Sequence, residues 1–122
     1  MATLSPTLTL SSTDLSGDEL SLSVSDSLTV AGGAVNFQVI TSATGTVFAA
    51  AANYSKSYVF LQNLATDASH IYTIEKADGG DEYMTLGAGE FAFFPWAASV
   101  DLAVDAAAGT SAMEVRIYQA AS

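Results

Sequence analysis

His70 is the chain's only histidine, and any nucleophilic catalysis would have to be organised around it. It sits in Ser69-His70-Ile71-Tyr72, a strand-like pattern with nothing nearby to orient the ring, and the sequence has no G-x-S-x-G elbow. A Ser-His pair needs a group that orients the ring, and the elbow is one common setting for its serine. His70 therefore reads as a strand residue at a surface or subunit contact.

The carboxylates are the next candidates. Acid-base work by paired carboxyls requires one pKa raised by burial and another kept low, within a cleft, whereas the acids here fall in turns. Asp78, Asp81 and Glu82 cluster around Gly79-Gly80, which reads as a solvated hairpin loop. The same three side chains offer oxygens for calcium, but the EF-hand spacing is absent and other loops would have to complete the shell. Gly87-Ala88-Gly89 leads into Glu90 and an aromatic run rather than into Lys, Ser or a helix start. It is a tight turn rather than a phosphate cradle, and Glu90 would repel a phosphate placed there.

The densest aromatic stretch is Phe91-Ala92-Phe93-Phe94-Pro95-Trp96, with Tyr83 just before it. Strand alternation puts Phe91 and Phe93 on one face and Phe94 on the other, so at least one ring is expected outside the first core layer. Pro95, which has no N–H to donate, is expected to end the ladder. The segment reads first as plain core, which needs no function; the alternative is that Phe94 and Trp96 anchor a subunit interface, where large aromatics are enriched, with Leu8 and Leu10 of the N-terminal segment as further interface candidates.

The elements that would position these residues are strands. Leu8 and Leu10 alternate with Thr7 and Thr9; Leu20, Leu22 and Val24 with Ser21 and Ser23; Val35, Phe37 and Val39 with Asn36 and Gln38. Period-two patterning of this kind makes half-buried strands. Further strands are expected at Tyr58 to Gln62, His70 to Glu75, Tyr83 to Leu86, Glu90 to Phe94, Ser99 to Val104 and Ala112 to Tyr118. Between them lie turn residues: Ser16-Gly17, Gly32-Gly33, Gly45, Asp78 to Asp81, Gly87 to Gly89 and Gly109. Phe48 to Ala52 is the one helical candidate, and it is too short to decide anything. About nine or ten short strands with no real helix indicate an all-β domain over residues 1–122, a β-sandwich or jelly-roll-like fold. Leu8 to Asp14 and Leu20 to Asp26 echo each other, as successive edge-type strands would. Residues 1–10 read equally well as an extended N-terminal arm or as part of the main sheet.

Composition bounds the partners. The chain has 122 residues, half of them apolar, and three basic residues (Lys56, Lys76, Arg116) against thirteen acids, for a net charge of −10. A protein that grips phosphates needs clustered Lys or Arg to displace counterions; neither nucleic acid nor an anionic membrane surface is an expected partner, whereas a basic protein surface is open. Without cysteine there is neither a disulfide framework nor a zinc-thiolate site. The N-terminal residues lack the basic start and apolar stretch of a signal peptide, so synthesis in the cytoplasm is expected.

Three segments carry a resemblance. Tyr58-Val59-Phe60-Leu61-Gln62-Asn63-Leu64 is an apolar strand ending in Asn-Leu, Ile71-Tyr72-Thr73-Ile74 is a short alternating strand, and Tyr83 to Trp96 holds a turn of the form L-x-x-G-E before F-A-F-x-P. Together they resemble a pattern of small structural proteins of tailed bacteriophages, of the capsid decoration or cement type. The resemblance implies a β-rich, often trimeric protein on the capsid surface of the virion, whose partner is the major capsid protein lattice, and no catalytic residue. The expected function is binding and stabilising the capsid through protein–protein contacts, without enzymatic activity. The competing class is a carbohydrate-binding or adhesion module of a head fibre or tail, motivated by Trp96, Tyr83 and the acidic glycine-rich loop. A cupin-like enzyme lacks ligands, since one histidine cannot supply the usual metal set.

Overall fold

Period-two alternation becomes extended backbone along most of the computed structural model, which describes residues 1–14, 20–40, 45–77, 81–106 and 112–121. In chain order the strands are β1 (Ala2–Leu4), β2 (Thr7–Ser12), β3 (Leu20–Ser25), β4 (Leu28–Val30), β5 (Val35–Ile40) and β6 (Thr46–Ala49). After a 3₁₀ turn at Ala51–Asn53 come β7 (Ser57–Asn63), β8 (Tyr72–Lys76), β9 (Glu82–Leu86), β10 (Phe91–Trp96), β11 (Leu102–Ala106) and β12 (Ala112–Gln119). The expected strand at His70 starts at Tyr72. The turns expected at Ser16-Gly17, at Asp78 to Gly80 and at Gly109 lie outside the described residues.

Two four-stranded antiparallel sheets, ordered β10-β7-β12-β5 and β6-β11-β8-β9, make a β-sandwich-like all-β fold. Alternation decides which side chains meet between them. Val59 and Leu61 of β7 and Met113, Val115 and Ile117 of β12 point inward, where they join Ile74 of β8 and Leu102 and Val104 of β11 in one buried cluster. Each such aliphatic side chain contributes about 1.5–3 kcal/mol on burial. All eight lie on the central strands.

Pro95 does not end its strand, as the sequence suggested it would. It lies inside β10, opposite Tyr58, and the ladder continues to Trp96 opposite Ser57. The reason is position: among the described residues β10 is the edge of its sheet, with β7 as its one neighbour, so a residue without N–H is tolerated on the side that has no ladder. The helical candidate at Phe48 to Ala52 is divided between the end of β6 and the 3₁₀ turn, whose Ala51 N–H donates to Asp101 Oδ1 at 2.7 Å.

Residues 1–30 stand apart from the two main sheets. β1 pairs with β4, from Ala2 opposite Val30 to Leu4 opposite Leu28, and β2 pairs with β3, from Thr7 opposite Ser25 to Ser12 opposite Leu20. The first ten residues are thus one leg of a bent hairpin arm, with Asp26 N–H donating to the Pro6 carbonyl at the bend. The echo between the two Leu/Ser segments is the pairing of these legs. At its root the arm is tied to the end of β12 by Ala31 N–H to Gln119 O at 2.8 Å and Ala121 N–H to Thr29 O at 3.0 Å, beside a bridge between Val30 and Ala120.

Candidate interaction surface on the arm and the outer sheet face

Cross-strand partners in an antiparallel pair share a face. In the arm, Leu8 lies opposite Val24 and Leu10 opposite Leu22, while Thr9 lies opposite Ser23 and Ser11 opposite Ser21. One face of the ribbon is therefore aliphatic and the other hydroxylic. The aliphatic face is uncovered, its four side chains being 43–54% exposed. β2 and β3 carry no ionisable side chain at all, in a chain whose net charge is −10.

The second apolar surface is the outer face of β10 and β7. Register decides which rings it holds. Phe94 lies opposite Val59 and Trp96 opposite Ser57, and both partners are buried, so Phe94 and Trp96 turn toward the core. Phe94 is partly buried against the core cluster. Trp96 is 6% exposed, donates its indole N–H to the Val100 carbonyl at 3.2 Å and packs against Tyr54 with ring centres 5.7 Å apart. Phe91 and Phe93 point outward, 59% and 39% exposed. Phe93 stacks on Tyr58 and Phe91 on Phe60, both with centres 6.4 Å apart, and the Lys56 ammonium sits 5.7 Å above the Tyr58 ring.

The two surfaces meet. A groove of about 640 Å³ runs between the base of the arm and these rings, lined by Leu8, Val24, Leu28, Tyr58, Phe91 and Phe93 among others. Of the four residues expected at an interface, Leu8 and Leu10 are on this surface, Phe94 is half-buried on the opposite face of its strand, and Trp96 is core. Leu22, Val24, Phe91 and Phe93 complete the surface. The signal that finds them is the pairing register, which the linear sequence does not state.

The residues considered for chemistry are distributed elsewhere. His70 is half-buried in the loop after β7, its Nε2 4.0 Å from Asp67 Oδ2. Asp67 receives the Ser69 backbone N–H at 2.9 Å and the Ser69 hydroxyl at 2.8 Å, and these bonds hold its carboxyl below the usual carboxylate range. Asp81 and Glu82 are exposed, Asp78 lies outside the described residues, and among the described residues no three metal-ligating groups converge. In the Gly87-Ala88-Gly89 turn, Gly89 has a φ of +79°, and the Gly87 N–H donates to Glu90 Oε1 at 2.6 Å. The turn's own acid takes that donor.

One buried acid stands out. Glu75 of β8 is 8% exposed, in a sheet where Glu82 lies directly across from it and Asp105 sits on the same face of β11. Burial first, then the negative charge of Asp105 and a hydrogen bond with it, and then the charge of Glu82, push the Glu75 carboxyl above its usual range. Asp105 in turn accepts the Gly45 N–H.

Comparisons with protein-family models, with curated proteins and with solved structures find no significant match to this chain.

Proposed function

We propose that this protein is a structural protein of a bacteriophage virion, which binds the capsid surface and stabilises it through protein–protein contacts. The observation that carries the proposal is the exposed apolar surface made by the arm and the outer rings of β10 and β7, bordered by Lys56 and Asp26. An uncovered patch of that kind marks an interaction site on a protein, and the hydroxylic back of the arm lets it project into water. The segmental resemblance to decoration proteins points the same way. Binding to the assembled shell, but not to its dissociated parts, stabilises the shell by mass action, so no catalytic group is asked for.

The carbohydrate-binding alternative has less to rest on. Trp96, the ring that chiefly motivated it, is withdrawn into the core, and the exposed rings Phe91 and Phe93 pair with Phe60 and Tyr58 of the neighbouring strand. Cosedimentation with shells assembled from the major capsid protein of the same genome tests the proposal. Saturable pelleting at a fixed ratio is the expected result, and protein left wholly in the supernatant, at concentrations well above micromolar, would overturn it.

A further inference from the structure

We infer that the occupant of the groove is the arm of a second copy of this chain, so that the protein assembles with itself by exchanging arms. An isolated two-stranded ribbon is marginal in water, and here it carries four large aliphatic side chains on an uncovered face beside the rings of Phe91 and Phe93. Among the described residues β2 and β3 pair only with each other, so each leg of the distal ribbon has one outer edge without a ladder partner there.

Charge selects the partner. Two copies that each carry −10 repel over most of their surface. The arm strands are free of ionisable groups, and the ring surface has a cation, Lys56, at Tyr58. Asp26 at the bend lines the same groove, so it is along the arm strands and the rings, away from the bend, that two identical acidic molecules approach with least repulsion. Area supports the same occupant. The exposed parts of Leu8, Leu10, Leu22, Val24, Phe91 and Phe93 sum to roughly 500 Å². When each copy gives one arm and receives one, roughly 1,000 Å² of surface is covered across the pair, the lower bound for a specific interface. Exchange closes either reciprocally in a pair or around a ring. The inference concerns self-association alone, and it stands whether or not a capsid is bound.

Multi-angle light scattering over a concentration series, on the wild type, Leu10→Asp and Ser23→Asp, tests it. Leu10 is on the aliphatic face and Ser23 on the hydroxylic face of the same ribbon, so the pair separates a face-specific contact from general disturbance of the arm; circular dichroism confirms that both variants keep the β fold. The expected result is a wild-type dimer or trimer, unchanged in Ser23→Asp, with the dissociation midpoint of Leu10→Asp raised on the order of a hundredfold. A wild type that is monomeric throughout overturns the inference. So does a Leu10→Asp variant with wild-type mass, or an equal loss of association in both variants. Self-association without pelleting on capsid shells would end the capsid reading and leave this one standing.

Discussion

The side-chain amide of Asn63, at the end of β7, donates a hydrogen bond of 2.9 Å to the carbonyl of Leu86, at the end of β9, and so joins the two sheets of the sandwich. Asn63 is fully buried, and every polar atom of its side chain is used. Nδ2 also donates to the His70 carbonyl at 2.8 Å, and Oδ1 accepts the Ala65 N–H at 3.0 Å. Its backbone holds the turn before β10, donating to Glu90 O and accepting from Gly89 N, both at 2.9 Å. The Asn-Leu strand end and the L-x-x-G-E turn, which carry part of the resemblance, are thus two sides of one hydrogen-bonded joint. Their spacing has a structural cause.

Removing that joint costs stability. Asn63→Ala leaves two carbonyls and one N–H without their partner, each worth about 1–3 kcal/mol where buried, so a loss on the order of 3 kcal/mol is expected. Chemical denaturation measures it; a loss below about 1 kcal/mol would show that water or a shifted chain replaces the amide.

The two faces of β10 are expected to respond in opposite ways. Trp96→Ala opens a cavity in the core and costs about 3–5 kcal/mol, while Phe91→Ala, on the exposed face, changes monomer stability by less than about 1 kcal/mol. Equal costs at the two positions, in urea unfolding at a concentration where the protein is monomeric, would contradict the assignment of faces.

Glu75 makes stability depend on pH. Its folded pKa lies above the ordinary value of 4.5, so the folded chain holds this proton more tightly than the unfolded chain does. The contribution is fully present below the ordinary value and is lost as pH rises through the raised one. Glu75→Gln keeps a donor for Asp105 and removes the charge. Its melting temperature should match the wild type near pH 4 and exceed it increasingly toward pH 7. A gap that stays constant across that range would rule out Glu75 as the titrating group.

Much of the strand pattern was legible in the sequence because the central strands alternate cleanly: Val59 and Leu61 against Tyr58 and Phe60, Met113 and Val115 against Glu114 and Arg116. β1, β4 and β6 were not, being three or four residues long and too short to show a period; the alanine run that follows Phe48 also mimics a helix. In β10 both faces are aromatic, so alternation separates the rings without saying which set is inside. Only the register with β7, which sets Phe94 opposite Val59, decides that. The arm was legible as two similar segments, but their pairing into a ribbon with one aliphatic face rests on the register between β2 and β3, which the linear sequence does not state.

If this chain stabilises a capsid shell by binding it, the melting temperature of purified shells, recorded by calorimetry as the protein is titrated in, must respond. The expected result is a rise that grows with protein concentration and saturates at a fixed number of copies per shell, as binding to the assembled state requires. A shell melting temperature that stays constant to a large molar excess of folded protein would contradict it.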